Sequence, residues 1–323
     1  MIVTEYSGCR LIRALSSGYR TSLRPLEMTS RSRYSSNRKK MIDERLKSKI
    51  KEGRGNGVLE AYQPWLKVRE VPSRGSSHIL PGVKVLREHQ LLSDAEYHYN
   101  ITLEFDPSVI DIREQFPLLP REETAAIASS LGYPLTRYPY SSELLVFTTD
   151  FLVTKLDNHG KEYLEAKSIK YLRDLKKAQA DGKAEPIMQR LQIEREYWSR
   201  RGVDWKLEFA ENLSDVYLKN LIALRTYANL PVRLDKPQLV EKIINYLMLA
   251  QTDKIPVKTL LQKMSKYLFL PYVDVKILYF HLLWRQRLTA KLNQVRIELS
   301  APLEIGFTDN QSLSYGSASS CLK

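Results

Sequence analysis

The sequence predicts an α/β domain followed by a nearly all-helical one, and three observations carry that prediction. Between residues 93 and 209, segments with helical spacing of apolar residues alternate with short strand-like runs. From Leu213 onward almost every segment has helical periodicity. A length of 323 residues, 43% hydrophobic and 27% charged, leaves room for two ordinary cores.

Taken in order, residues 42–52 (IDERLKSKIKE) read as a short charged helix stopped by Gly53 and Gly55. A Pro- and Gly-punctuated region follows, from Tyr62-Gln63-Pro64-Trp65-Leu66-Lys67-Val68 to Val71-Pro72-Ser73-Arg74-Gly75. Its short alternating runs (Leu66, Val68; Ile79, Leu80; Val83, Val85) suggest edge strands and loops. Leu91, Leu92, Ala95, His98 and Tyr99 then share a helical face, and Ser93 with Glu96 three residues on has the form of a capping box. Residues 101–105 and 109–112 read as strands and 122–131 as a second helix. The apolar run 144–147 reads as a strand continuing into Thr149-Asp150-Phe151-Leu152-Val153. Asn158-His159-Gly160 signals a turn, with the return strand at 163–169. Ile187, Leu191, Glu194 and Trp198 line one face of a helix over 187–198, and 203–209 is the final strand.

The remainder reads as helices over 216–226, 237–249, 257–266 and 272–287, with 288–292 and 295–299 alternating as a small hairpin around Asn293. Helices closed by a two-stranded wing make a winged-helix pattern. The aromatics Tyr272, Tyr279, Phe280 and Trp284 recur at helical spacing and are read as core rather than as stacking platforms for bases. The expected division is a basic disordered arm over 1–48, a catalytic domain over 49–210, the winged-helix-type domain over 211–307 and a Ser-rich disordered tail over 308–323.

The net charge is +13, and over residues 1–57 fourteen Lys and Arg face five Asp and Glu, so most of the excess lies at the N-terminus. Such an arm either is simply solvated or adds salt-dependent affinity for a nucleic-acid backbone. Residues 8–40, with Glu27 as their one acid, superficially resemble a transit peptide, although the later Met28 and Met41 allow an upstream start codon as the explanation. The expected compartment is the cytoplasm. No apolar run approaches the roughly 20 residues that span a bilayer. Cys9 and Cys321 lie in the two tails, which excludes a disulfide framework, and the five histidines (His78, His89, His98, His159, His281) have no spacing suited to zinc.

One constellation carries chemistry: Glu96 on a helix, Asp150 on a strand and Lys170 on its hairpin partner. Two carboxylates suit Mg²⁺, or Mn²⁺ in its place, because a hard cation prefers oxygen. Such an ion polarises a phosphodiester and acidifies bound water. A neighbouring ammonium orients that water and offsets charge on the phosphate oxygens. Two registers are open for the lysine strand, Ser168-Ile169-Lys170 or the literal Glu165-Ala166-Lys167, and alternation puts them on opposite faces.

A wider set of residues resembles a known family. Lys51-Glu52-Gly53-Arg54-Gly55, Tyr62-Gln63-Pro64-Trp65-Leu66 and Glu70-Val71-Pro72-Ser73 are similar to the opening of the TnsA family, the endonuclease subunits of heteromeric cut-and-paste transposases. The similarity continues through Leu91-Leu92-Ser93-Asp94-Ala95-Glu96, Asp111-Ile112-Arg113-Glu114-Gln115-Phe116-Pro117-Leu118, Thr149-Asp150-Phe151-Leu152-Val153 and Leu191-Gln192-Ile193-Glu194-Arg195-Glu196-Tyr197-Trp198. The resemblance implies a restriction-endonuclease-like fold, with Glu96 and Asp150 as catalytic acids, Lys170 as catalytic lysine and Glu194 as a further acid. It favours the Lys170 register, because Gly160 to Lys170 keeps the family's spacing from turn to lysine. Ser168 stands where the family often has Gln and is a candidate catalytic residue, as ligand or water-positioner; Ser is shorter and uncharged, so the main-chain carbonyl of Ile169 is the implied metal ligand beside Glu96 and Asp150.

The resemblance further implies that this subunit cuts the 5′ strands at transposon-end DNA while a TnsB-type integrase-fold transposase subunit processes the 3′ ends. A TnsC-type AAA+ ATPase regulator is expected on the C-terminal domain, and the isolated chain is expected to be weakly active. Two other readings compete: a free-standing restriction- or repair-type nuclease, and a non-catalytic winged-helix DNA-binding scaffold.

Overall fold

The computed structural model describes residues 28–71, 76–139, 141–250 and 252–308 of the chain, with side chains from residue 40. The expected arm up to residue 27, with Cys9, and the tail from 309, with Cys321, lie outside the described residues, as do Pro72-Ser73-Arg74-Gly75.

Helix α1 (Met28–Lys51) begins well before residue 42, so the stretch 28–48 of the basic arm is helical rather than without structure. What holds so charged a helix is local: Leu46 is buried against Trp65 and Val146. Gly53 and Gly55 follow it with φ of 73° and 82°, a conformation glycine takes without a Cβ penalty.

The antiparallel ribbon β1 (His78–Pro81) and β2 (Glu88–Leu91) leads into α2 (Asp94–Phe105), whose N-cap is Ser93, as expected. Then come β3 (Val109–Pro117), α3 (Arg121–Ser130), the hairpin β4 (Thr148–Leu156) and β5 (Glu162–Lys170), α4 (Leu172–Ala180), α5 (Ala184–Ser199) and β6 (Asp204–Phe209). The main sheet has the order β3-β4-β5-β6 and is antiparallel except for the parallel pair β5–β6. A parallel step needs a long crossover, which α4 and α5 supply.

Both faces of the sheet are covered. On one, Ile127 from α3 and Ile193 and Trp198 from α5 pack on Leu152 and Ala166. On the other, Ala95 and Leu103 from α2 pack on Ile112, Phe151, Val153 and Ile169. Each fully buried Ile, Leu, Val or Phe among them contributes roughly 1.5–3 kcal/mol by leaving water.

Two expected elements differ, and one helix was not expected. Residues 101–105 belong to α2, not to a strand: Ile101 packs into the C-terminal core while Leu103 packs on the sheet, so the helix is apolar on two sides and reads like a strand run. The run 144–147 is extended, but β4 starts at Thr148; Val146 and Phe147 fill two different clusters instead of joining the ladder. Helix α4 was not expected: its half-buried stripe, Leu172, Leu175 and Ala178, is short, and no residue of it is fully buried.

Helices α6 (Asp215–Arg225), α7 (Pro237–Leu249), α8 (Val257–Leu268) and α9 (Tyr272–Trp284) fall where their periodicity put them. Leu221, Ile243, Leu261, Leu278, Tyr279 and Trp284 form their core, with Ile101 of α2 built into it. The half is not all-α, because β7 (Leu288–Thr289) pairs with β8 (Gly306–Phe307). The expected return strand at 295–299 is absent from that pairing for a visible reason. Asn220 donates from Nδ2 to the carbonyls of Leu292 and Val295, both at 2.8 Å, and its Oδ1 accepts from Ile297 N at 2.9 Å. One buried side chain thus takes the hydrogen bonds a hairpin partner would make. Among the described residues no helix is long and apolar enough to cross a membrane.

The two halves meet over α2. Glu104, 3% exposed, accepts from Val83 N at 2.8 Å through Oε1 and from Arg225 Nε at 2.5 Å through Oε2. Gln286 Nε2 donates to the Phe105 carbonyl at 2.8 Å. Replacing one partner of a buried ion pair leaves the other charge uncompensated. Arg225→Ala is therefore expected to cost roughly 3 kcal/mol, and Arg225→Ala with Glu104→Gln less than Arg225→Ala alone, as read by chemical denaturation.

Candidate active site

The site forms where β4 and β5 separate. Their ladder runs up to the pair Phe151↔Lys167 and goes no further toward the start of β4. Past that point Asp150 takes the place of a strand carbonyl: its Oδ2 accepts from Ile169 N at 2.7 Å. Lys170 Nζ donates to the same oxygen at 3.0 Å and to the Ile169 carbonyl at 2.9 Å. Burial alone would lower the Lys170 ammonium, but the charge and hydrogen bond of Asp150 outweigh it and raise it above the ordinary value. The structure thus brings Lys170, and not Lys167, to Asp150. Lys167 is occupied elsewhere, 3.2 Å from Glu208 and 3.3 Å from Glu165.

Glu96 reaches the same region from the first turn of α2. Ser93 Oγ accepts from Glu96 N at 3.2 Å and donates to Glu96 Oε1 at 3.0 Å. The returning arm of the capping box is displaced by one residue, since Oε2 accepts from Leu92 N at 2.8 Å rather than from the N-cap amide. Gln115 Nε2 adds a further donor to Oε2 at 2.9 Å. Burial, reinforced by the charge of Asp150, pushes the Glu96 carboxyl up to about 7.

Glu194 enters from α5 and is held from behind. Its Oε1 accepts from Thr149 Oγ1 at 2.7 Å and from Ser168 Oγ at 2.5 Å. Trp198 Nε1 donates to Thr149 Oγ1 at 2.7 Å, and Trp205 Nε1 donates to Ser168 Oγ at 3.2 Å. An indole N–H can only donate, so both hydroxyls must accept from the rings and spend their own protons on Glu194. Burial first, then the charge of Asp150, pushes Glu194 up to about 7 as well. Ser168, 1% exposed, is committed to this network and orients Glu194. The Ile169 side chain lies in the core and only its carbonyl faces Lys170.

Sequence reasoning did not single out Gln115, Thr149, Trp198 or Trp205. Their signal was there: a Gln inside an otherwise buried strand and a Thr directly before the candidate Asp are polar residues where apolar ones are the rule. Both lie inside motifs already noted for other reasons.

Three carboxyl groups and a strand carbonyl thus surround one ammonium, an oxygen-rich and electronegative donor set. The upward shift of two carboxyls reflects negative charge that burial makes costly, the condition a hard divalent cation relieves. Among the described residues no three His, Cys, Asp or Glu side chains group as a metal cage. An ion here could be held by Glu96, Asp150 and the Ile169 carbonyl, with its remaining positions left to water or substrate.

A helix acid, a strand acid and a strand lysine thus meet at the parting of two strands in a helix-flanked mixed sheet. Residues 106–208 match the family described as TnsA-like endonuclease N terminal. The chain is also similar to the transposon Tn7 transposition protein TnsA of Escherichia coli, with 37% identity over 175 residues. That alignment covers 54% of this chain and 59% of the Escherichia coli protein, so the chain spans somewhat over half of its relative's length.

The shifted carboxyls make stability depend on pH. Glu194 rises from 4.5 to about 7 on folding, so between those values the folded protein holds a proton the unfolded chain releases. Stability from this group is complete below its unfolded value and is lost as pH rises through the folded one. Glu194→Gln imitates the protonated acid. Without divalent cations its melting temperature is expected to exceed the wild type's by roughly 2–4 °C at pH 8, with the gap closing by pH 5. Scanning calorimetry at both pH values checks this, and an equal gap at both would remove Glu194 as the cause.

Proposed function

We propose that this chain is the DNA endonuclease subunit of a heteromeric transposase and hydrolyses the 5′ strands at transposon ends. The observation that carries the reading is the Lys170 ammonium bridging Asp150 Oδ2 and the Ile169 carbonyl, inside a TnsA-like endonuclease segment. A bound Mg²⁺, or Mn²⁺ in its place, supplies Lewis acidity toward the phosphoryl oxygen and acidifies a coordinated water.

Glu96, Asp150 and the Ile169 carbonyl would hold the cation. Lys170 orients the attacking water and offsets charge developing on the phosphate, a contribution worth about 10²–10³ in rate where one such donor is removed. Glu194, with Ser168 behind it, closes the negative set opposite Asp150.

Residues 49–210 form the catalytic domain of this reading, and 211–307 a C-terminal domain of winged-helix type, supported by four helices and the β7–β8 ribbon. A TnsB-type transposase subunit joins the 3′ ends, and a TnsC-type AAA+ regulator docks on the C-terminal domain. The expected compartment is the cytoplasm, with transposon-end DNA as substrate. The relative's printed name concerns Tn7 transposition, which supports this assignment of partners.

The test is cleavage of end-labelled transposon-end DNA in Mg²⁺ by the chain with its partner subunit and regulator. Asp150→Ala is expected to abolish 5′-strand cleavage and Lys170→Ala to slow it by about 10²-fold or more, with DNA still bound. Equal cutting by wild type and Asp150→Ala would remove the site assignment. Efficient, sequence-specific cutting by the chain alone would favour a free-standing nuclease, and no cutting by any form, with partners bound, a scaffold.

A further inference from the structure

Gln115 combines three features that share no structural necessity. It is a non-glycine residue at φ 50°, in the left-handed region, inside strand β3. It is 2% exposed. Its amide joins two groups at the candidate site, with Nε2 donating to Glu96 Oε2 at 2.9 Å and Oε1 accepting from Thr148 Oγ1 at 3.4 Å. In the β3–β4 ladder it stands between the pairs Glu114↔Phe151 and Phe116↔Thr149, and so across from Asp150.

The strained backbone is clamped by a segment the nuclease chemistry does not use. Tyr62 and Trp65 are each 1% exposed. Tyr62 Oη donates to the Glu114 carbonyl at 3.0 Å, and Trp65 N donates to the Gln115 carbonyl at 3.2 Å. The clamp is tied down at its base, where Gly55 N donates to the Gln63 carbonyl at 2.6 Å and a Cβ on Gly55 would lie 2.3 Å from Pro117 of β3. The Tyr62-Gln63-Pro64-Trp65 motif therefore fixes both peptide carbonyls flanking the unusual torsion.

Of the donors to Glu96, Leu92 N and Ser93 Oγ belong to the entry of its own helix. Gln115 is, among the described residues, the hydrogen-bonding link from that carboxylate to the sheet carrying Asp150 and Lys170. Glycine would accept this torsion without strain but brings no amide.

We propose that Gln115 is a positioning residue for Glu96, held in its left-handed conformation by the Tyr62–Trp65 clamp so that the helix carboxylate keeps a fixed separation from Asp150. The consequence for cation binding rests on the nuclease reading above.

The test uses the full chain and measures Mn²⁺ affinity by titration calorimetry alongside melting temperature. Gln115→Gly removes strain and amide together: its melting temperature is expected to equal or exceed the wild type's while Mn²⁺ affinity falls roughly tenfold. A merely structural glutamine would move both downward. Gln115→Met keeps length and strain without the amide, is expected to lose the same affinity, and decides the matter if the glycine variant does not fold. Affinity within about twofold of wild type in the folded variants overturns the proposal.

Asp150→Ala in the same titration separates the two ideas. If it loses Mn²⁺ while Gln115→Met retains it, only the role of Gln115 fails. If Asp150→Ala binds Mn²⁺ like wild type, the nuclease reading fails, and a crystal structure of Gln115→Met then decides. A Glu96 carboxylate swung away from Leu92 N upholds the positioning role, and an unmoved one overturns it.

Discussion

Where β4 and β5 part, the amide of Ile169 loses its strand partner, and a buried N–H left without one is costly. Asp150 supplies the acceptor from its side chain, at 2.7 Å. The carboxylate is thereby fixed at the mouth of the gap between the strands, and everything else in the site is arranged around its charge. Lys170 can stay charged there because Asp150 faces it, and Glu96 and Glu194 are pushed upward by burial first and then by the charge of Asp150 beside them. A carboxylate that completes a ladder is harder to displace than one hung on a loop, since moving it also breaks a backbone hydrogen bond.

Most of the sheet and the helical half were legible because their signals are local. The turn at Asn158-His159-Gly160 and the stripe Leu191, Glu194, Trp198 obey one periodicity each, and α6 to α9 fall where the same rule put them. Errors arose where one element serves two cores. Helix α2 is apolar on opposite sides, so 101–105 imitated a strand, and Val146 and Phe147 diverge into separate clusters. The wing misled for another reason: Asn220 intercepts its hydrogen bonds from a helix remote in sequence, which no local pattern encodes.

The site shows the same division. Glu96, Asp150 and Lys170 were visible as residue types in a recognisable order. Alternation along β5 left Lys167 and Lys170 equally available; the resemblance favoured Lys170, and the three-dimensional partners of each separate them, Glu208 and Glu165 for one and Asp150 for the other. Ser168, at the position where the family often has Gln, relays a hydrogen bond from the Trp205 indole to Glu194. The network around Glu194 depends on Trp205 and Trp198, two donors that come from β6 and α5 and make sense only once the sheet is assembled.

Helix α2 has 12 residues and so is about 18 Å long. One end carries Glu96; the other carries Ile101, sunk in the C-terminal core, and Glu104, paired with Arg225. It is a shared beam with a rigid bearing at each end. A tilt of about 5° imposed at the C-terminal bearing would shift the far end by about 1.5 Å over a helix of that length, more than the tolerance of a carboxylate in a coordination shell. The two halves therefore cannot be repacked, exchanged or severed at residue 210 as independent parts: a change of volume at Leu221 or Leu278 is also, mechanically, a change at the Glu96 end of the beam.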